Sequence, residues 1–466
     1  MPCSAYTMIT LPKAFCARMQ DMLGEEYPAF LASYERDMQR GLRVNLCKST
    51  RDDFLNKTRL PLRPMPACED GFYLDCAETG TGKLPAHHAG MFYLQEPAAM
   101  LPIAAAHIKE GDYVLDVCAA PGGKSTQIAS RIGESGLLVS NEFVSSRAKI
   151  LHSNIERLGV KNAIVTNTDA MHLAAWYERA FDVVVVDAPC SGEGMFRKNP
   201  LAIEEWSEEN VAMCAKRSYE ILDNAEACLR DGGLLVYSTC TFSVEENEGL
   251  IARFLSAHEN YEILPLTSGV REMTAKGLAI DGCDADTTLC GRCYPHITGG
   301  EGQFVCVMKK GGDGQRNPIR DTLKQPDKAE AAALGAFFDE VFISGKAPTV
   351  KKLGSQLYAV PAHMAVNGVC FSVGVCVGEI RGGRLVPHHQ LFSAYGKDMK
   401  HTWDLSSEDE RVMRYLHGDT VSLAPHEMTD NGFGCVLVDG CPLGGAKCVD
   451  GVLKNHYPKG LRVQGI

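Results

Sequence analysis

The sequence predicts an α/β fold, a mostly parallel sheet with helices on both faces. Three observations predict it. From Gly111 onward, short β-branched runs alternate with helical stretches. Those runs are apolar throughout, without in-and-out alternation, which is how strands covered on both faces read. The first run breaks into a Gly-rich turn and then a helical pattern, CAAPGGKSTQIASRI, in which Ser125 or Thr126 opens the helix.

Taken in order, the chain opens helix-like: Phe15, Met19, Met22 and Leu23, then Phe30, Leu31 and Tyr34, recur at three- and four-residue spacing. It changes character at GLRVNLCKST, and from Pro61 to Gly90 the density of Pro and Gly marks loops and short strands. The sheet strands follow: YVLDV (113–117), LLVSN (137–141), AIVTN (163–167), FDVVVVD (181–187) and LLVYS (234–238). Four consecutive valines, Val183 to Val186, mark the central strand. GQFVCVMKK (302–310) reads as the last strand of this unit, and GGDGQRNPIRDTLKQPDK as a linker, being rich in Gly, Pro and charge without apolar periodicity. AEAAALGAFFDEVF is then a helix. QLYAV, VCFSVGVCVGEI and TVSLA are strand-like and fit one or two small β-rich modules.

Composition bounds the function. With 466 residues, 45% hydrophobic and 23% charged, the chain is globular and long enough for two to four domains, which excludes disordered and fibrous classes. The longest apolar run, Pro97 to Ala106, is far too short to span a bilayer, and the opening MPCSAYTMITLPKAF lacks the pattern of a secretory signal. A soluble cytoplasmic protein with no membrane partner is expected. Nineteen cysteines, odd in number and scattered, are expected to be thiols, not disulfides. The net charge of −11 argues at first against a nucleic-acid partner, but the acidity is regional: residues 71 to 300 carry 18 Lys and Arg against 31 Asp and Glu, and the flanks balance. After Asp450, Lys454, Lys459 and Arg462 interleave with His456 and Tyr457 and no acid, as a surface for phosphates and bases would.

The Gly-rich turn after the first strand lets a ligand approach the backbone, yet it is neither GxGxxG nor GxxxxGK[ST]. Glu142 ends the second strand about 20 residues later, where an acid can accept both hydroxyls of a ribose, and Asp169 lies just past the third. Each acid alone reads as a helix cap. Together with the loop they ring one nucleoside at the carboxyl edge of the sheet.

CAAPGGK, with DAPCSGEGMFRK and YSTCTFSVEENE downstream, resembles the Sun-type family of S-adenosylmethionine-dependent RNA cytosine-5 methyltransferases, and the tail resembles its RsmF-like ribosomal branch. RVN at Arg43 to Asn45, HHAGMFYLQEPAAM and RCYPHITGGEGQFV occur in the family's order, so the marks span most of residues 43 to 310. The resemblance implies a class I methyltransferase domain, Rossmann-like, with an N-terminal α+β RNA-binding segment and small β-rich PUA-like C-terminal modules. It implies that Cys118, Ala119, Ala120, Pro121, Gly122, Gly123 and Lys124 cradle the methionine part of S-adenosylmethionine, that Glu142 holds the ribose, that Asp169 meets the adenine, and that Asp187 lies beside the methyl group. Arg147, in the helix after Glu142, joins this set as a cofactor contact.

Cytosine C5 is a poor nucleophile until a thiolate adds at C6, so the chemistry asks for one thiol to attack and a second group to assist elimination. Cys190 follows the fourth strand and Cys240 the fifth, both at one sheet edge. Ser243 and Glu246 form a capping-box pattern, which would place Cys240 just ahead of a helix N-terminus that favours thiolate. The Pro-Cys pair at 189–190 invites the opposite assignment. In the family that the chain resembles, the cysteine of the TC motif attacks, which implies Cys240 as nucleophile, Cys190 as assistant in release, and Asp187 as acceptor from the cytosine amino group or protonated N3. Arg197 and Lys198, after the flexible Gly192 and Gly194, are expected RNA-backbone contacts.

Cys290 and Cys293, with Cys283 and His296 nearby, hold zinc-like elements, but a single CxxC is weak and no metal is expected. Retention of both cysteines and every cofactor acid disfavours a non-catalytic RNA-binding assembly factor. Motif order and the RVN segment disfavour a DNA methyltransferase, and the absent GxGxxG disfavours an NAD enzyme. The expected organisation is an RNA-binding segment at 1–99, the methyltransferase domain at 100–312, a linker at 313–330, a module at 331–390 and a PUA-like module at 391–466. The chain is expected to act as a monomer on a cytosine of small-subunit (16S) ribosomal RNA, with transfer RNA or another ribosomal site as the alternative.

Overall fold

The computed structural model describes residues 10–75 and 80–463; the opening MPCSAYTMI and the last three residues of the tail lie outside the described residues. Helices Lys13–Leu23 and Tyr27–Ser33 form where the apolar spacing predicts, and Gly24, with φ 51°, ends the first in a conformation that glycine adopts freely. Phe15, Met19 and Phe30 are buried against Phe196, Trp206, Phe242 and Tyr294. The loop-and-strand region is an antiparallel sheet of β1 (Arg40–Val44), β2 (Leu62–Met65), β3 (Cys68–Leu74) and β4 (Phe92–Leu94), in the order β2-β3-β1-β4.

The large sheet contains β5 (Tyr113–Asp116), β6 (Leu137–Asn141), β7 (Ala163–Thr166), β8 (Phe181–Asp187), β9 (Leu229–Thr239), β10 (Tyr261–Ile263), β11 (Ala275–Lys276), β12 (Gly291–Cys293) and β13 (Gln303–Lys310). Its order is β11-β12-β13-β9-β8-β5-β6-β7, with β10 on β13. Strands β9, β8, β5, β6 and β7 pair in parallel, and β13 returns antiparallel to β9. The valines of β8 explain its place. Val184 and Val186 pack into the cluster on one face, Val183 and Val185 into the cluster on the other, and all four are at most 1% exposed. Alternate residues of a strand face opposite ways, so only a strand covered on both sides rewards four valines in a row. Burial of each contributes about 1.5 kcal/mol or more.

The C-terminal half begins with the helix Lys328–Val341, capped by Asp327 and Glu330. The segment read as one strand-like run, VCFSVGVCVGEI, divides at Gly374. Its first part, β16 (Cys370–Val373), leaves its neighbours and pairs antiparallel with β7, covering that edge of the large sheet. Gly374 has φ 51° and a β-carbon there would meet the Ala359 carbonyl oxygen at 2.3 Å, so the switch between sheets needs glycine. The second part, β17 (Val375–Arg381), joins β14 (Val350–Leu353), β15 (Gln356–Ala359) and β18 (Arg384–Pro387). A last sheet has the order β19-β21-β22-β23-β20, from β19 (Thr402–Leu405), β20 (Val421–Ser422), β21 (Gly432–Val438), β22 (Cys441–Val449) and β23 (Val452–Asn455). Trp403, Val436 and Leu453 share one apolar cluster with Leu42, Phe72 and Phe92 of the N-terminal sheet. Buried Lys48 fastens the same junction by donating to the Ala89 and Pro442 carbonyls and to Ser393 Oγ.

Candidate active site

The parallel strands end at one edge, and the loops there carry the predicted residues. β5 ends at Asp116, fully buried, whose Oδ2 accepts from Ser125 Oγ at 2.6 Å while Ser140 Oγ reaches Ser125 at 2.9 Å. Its Oδ1 is buried with no hydrogen-bond partner among the described residues. Burial, helped by the charges of Asp187 and Glu142 and opposed by Ser125 and Lys124, pushes the carboxyl up to about 7.

The loop from Cys118 to Lys124 is clasped from both sides. Ala119 N–H donates to the Asn141 carbonyl at 2.8 Å; Arg147 donates to the Ala120 carbonyl at 2.8 Å and Asn154 to the Pro121 carbonyl at 2.9 Å. Gly122, with φ 111°, turns the chain, and the helix Gly123–Ile132 begins two residues earlier than Ser125. The Thr126 N–H donates to the Gly122 carbonyl at 2.9 Å and closes that first turn. Arg43, wholly buried, comes from the N-terminal sheet and donates to Thr126 Oγ1 at 2.6 Å and to the carbonyls of Gly123 and Thr126. Burial, then the charges of Asp116, Asp187 and Glu142, push the Cys118 thiol up, which places those acids around the loop.

Glu142 is almost fully buried; Oε1 accepts the Val144 N–H at 2.9 Å and Oε2 faces Arg147 at 3.4 Å. Asp169 caps the helix Ala170–Trp176, with Oδ1 accepting the His172 backbone N–H at 2.9 Å, and that bond with the His172 side chain holds its carboxyl below the usual range. Asn141, which the sequence reading missed, joins the two sites: its Nδ2 donates to the Val117 carbonyl at 3.0 Å and the Thr168 carbonyl at 2.9 Å. No spacing rule singles out an asparagine at a strand end. The unsatisfied Asp116 oxygen, with the carboxyl groups of Glu142 and Asp187 nearby, fits a ligand that carries positive charge and hydroxyl donors.

Asp187 ends β8. Lys124 Nζ stands 2.8 Å from its Oδ2, and Ser238 Oγ donates to Oδ1 at 2.6 Å. Three residues on, Cys190 Sγ lies 3.3 Å from Cys240 Sγ. The hydrogen bond with Cys240, then burial and the charge of Cys240, push the Cys190 thiol well above its ordinary value. Burial pulls Lys124 down, but Asp187, followed by Asp116 and Cys240, more than offsets it, so the ammonium stays charged beside the Asp187 carboxylate.

Several expectations are corrected. Ser243 and Glu246 do not open a helix: residues 244–247 form a turn and the helix is Glu248–Ala257, so Cys240 is not beside a helix N-terminus. Ser243 Oγ does accept the Glu246 N–H at 3.3 Å, but the Glu246 carboxylate turns to Ser191. Arg197 is no RNA contact. Its side chain is 4% exposed and is spent on the Ser33 and Gly300 carbonyls and on Glu301. Lys198 is exposed and lines a cavity of about 300 Å³ with Arg40, Gln95, Glu96 and Glu301, between the N-terminal sheet and the loop after Cys190. Tyr457 is buried against Tyr415 and His389, leaving Lys454, His456 and Lys459 exposed on the tail. Cys290 packs with Cys306 while Cys293 belongs to a different apolar cluster, and His296 pairs with Glu26.

Comparison with known proteins is consistent along the chain. Residues 103–309 match the family described as 16S rRNA methyltransferase RsmB/F, residues 11–97 the N-terminal domain of 16S rRNA methyltransferase RsmF, and residues 403–463 the methyltransferase RsmF PUA domain. Ribosomal RNA small subunit methyltransferase F of Klebsiella pneumoniae is 34% identical over 484 aligned residues, covering 98% of each chain. That of Escherichia coli is 32% identical, covering 97% of each. Among solved structures, a methyltransferase homolog from Pyrococcus horikoshii has a TM-score of 0.57 at 28% identity over 65% of this chain and 96% of its own. NSun6 from the same organism shares the fold, with a TM-score of 0.55 at 22% identity over 66% of this chain and 100% of its own.

Proposed function

The chain belongs to the RsmF family of 16S ribosomal RNA methyltransferases, and from that premise we propose that it methylates C5 of a cytosine in small-subunit ribosomal RNA, with S-adenosylmethionine as donor and Cys240 as nucleophile. The observation that carries this reading is the 3.3 Å contact between Cys190 and Cys240 beside the Lys124–Asp187 pair. Cys118 to Lys124 cradle the methionine part, Glu142 takes the ribose hydroxyls with Arg147 behind it, and Asp169 meets the adenine. Phe143 and Met171, 71% and 62% exposed next to those acids, offer the base apolar faces. When bound, S-adenosylmethionine supplies an electrophilic methyl carbon on a sulfonium.

The protein's part is covalent activation. The target cytosine leaves its stack, and Asp187 accepts from its amino group or protonated N3. Cys240, as the thiolate facing the Cys190 S–H, forms a bond to C6, which moves an electron pair toward C5 and makes that carbon nucleophilic. After methylation a base in solvent takes the C5 proton, the C6–S bond breaks, and the sulfur leaves with its electron pair while the Cys190 thiol donates to it. Neutral Cys190 suits that role better than a second thiolate would. RNA lies across the sheet edge, in reach of Lys198 and the cavity behind it, with the C-terminal unit as a second grip. We divide the chain accordingly into RNA-binding, methyltransferase, linker and two C-terminal segments at 99, 312, 330 and 390. A bisulfite map of cellular RNA with and without the protein tests the activity: one or more 16S cytosines should lose protection in its absence, and an unchanged map would contradict the reading.

A further inference from the structure

The loops that carry Cys190 and Cys240 are cross-braced by two buried glutamates. Glu246, on the Cys240 loop, reaches the Cys190 loop: Oε2 accepts the Ser191 N–H at 2.9 Å and Oε1 lies 2.5 Å from Ser191 Oγ. Glu193, on the Cys190 loop, reaches back: Oε2 accepts from Thr241 Oγ1 at 2.9 Å and from the Phe242 N–H at 3.0 Å, and Oε1 accepts the Trp206 indole N–H at 2.9 Å. Ser191 Oγ and Thr241 Oγ1 are themselves 2.9 Å apart. The result is an unbroken row, Glu246–Ser191–Thr241–Glu193, in which no residue is more than 6% exposed.

The row has three O···O contacts but only two hydroxyl hydrogens, one each from serine and threonine. Both oxygens of Glu193 already accept N–H groups, so the Thr241 hydroxyl points its hydrogen there. Thr241 Oγ1 then accepts from Ser243 N–H, and its 2.9 Å contact with Ser191 Oγ is a hydrogen bond only with Ser191 as the donor. With its hydrogen committed to Thr241, Ser191 Oγ is an acceptor toward Glu246. The hydrogen in the shortest contact therefore belongs to Glu246.

We propose that Glu246 is held as the neutral acid and Glu193 as the carboxylate of one clamp, and that the two are positioning residues which set Cys190 against Cys240. This rests on the reading of those cysteines as the reacting pair. Burial pushes the Glu246 carboxyl up to about 7, in agreement. The titratable groups that sense it are Glu193 along the row and Cys190, Cys214 and Tyr237 around it, whose protons its ionisation would hold more tightly. Glu193, though raised by burial, has Trp206, Thr241, Arg18 and the Phe242 N–H on the side of its charged form.

The assignment makes the two glutamates respond oppositely to the same substitution. In Glu246→Gln, Nε2 donates to Ser191 Oγ and Oε1 accepts its N–H, as the neutral acid does. In Glu193→Gln, an NH2 group must face the Trp206 N–H or the Thr241 and Phe242 donors. Methyl transfer to a 16S transcript should stay within about threefold of wild type in Glu246→Gln, and kcat should fall about tenfold to a hundredfold in Glu193→Gln and Glu246→Ala with the KM for RNA unchanged. A second readout does not need activity: the infrared difference between wild type and Glu246→Gln, which keeps the clamp, should contain the carbonyl stretch of a protonated buried carboxylic acid. No such band, equal losses in the two Gln variants, or loss in Glu246→Gln with Glu193→Gln intact overturns the proposal. If wild type itself does not methylate, the functional reading falls while the infrared band still decides the clamp.

Discussion

Cys190 and Cys240 are 50 residues apart in sequence and 3.3 Å apart at their sulfurs. The register explains it: β8 and β9 pair in parallel with Asp187 opposite Ser238, so the loops that follow leave the sheet side by side. Two thiols so placed cannot both ionise readily, and the one kept neutral can only help the other. Cys190→Ala should therefore transfer methyl in a single turnover at close to the wild-type rate and fall behind in multiple turnover, with protein–RNA adduct accumulating. Rapid-quench kinetics checks this; equal loss in both regimes would place Cys190 in the addition step.

Lys124 neutralises Asp187 beside the buried carboxyl groups of Asp116 and Glu142. Lys124→Met should cost about 2 kcal/mol in stability, less than a fully buried pair because Asp187 is 31% exposed, and should lower activity far more. A denaturant melt beside a methyl-transfer assay separates the two effects. Activity that falls only in proportion to stability would remove Lys124 from the chemistry.

Asp116 makes stability depend on pH in an unusual direction. Its folded carboxyl titrates near 7, above the ordinary 3.8, so between those values the folded state holds the extra proton and stability falls as pH rises. Asp116→Asn removes that dependence, at most about 1.4 kcal/mol per pH unit. Melts from pH 4.5 to 7.5 should give a flatter curve for the variant; parallel curves would contradict the assignment.

Arg197 and Lys198 are neighbours in sequence with separate duties. Arg197→Met breaks a pair whose side chains are 4% and 3% exposed and should destabilise by about 3 kcal/mol, leaving the salt dependence of RNA binding unchanged. Lys198→Ala should leave stability within about 0.5 kcal/mol and lower the salt slope by about one. Melting and filter binding at several salt concentrations decide between them.

What the residues alone convey follows from how far each effect reaches. Val183 to Val186 announce a central strand because burial on both faces is written into four adjacent residues. The two cysteines are visible because each follows a strand, and parallel strands share an edge. The hold that Arg43 of a different sheet takes on the first turn, at Gly123 and Thr126, is not legible. Nor is the fate of Ser243 and Glu246, whose capping pattern is half made while the carboxylate serves Ser191. Arg197 reads as a surface cation until Ser33 and Gly300 arrive from distant segments to bury it, and nothing in the strand-like run but a glycine at 374 marks where it passes from one sheet to the other.

The central claim is that Cys240 makes the bond to cytosine. RNA that carries 5-fluorocytosine at the target stalls elimination and leaves the attacking sulfur attached. Incubated with S-adenosylmethionine and run on a denaturing gel, wild type and Cys190→Ala should form the adduct and Cys240→Ala should not. An adduct with Cys240→Ala that disappears with Cys190→Ala would contradict the account.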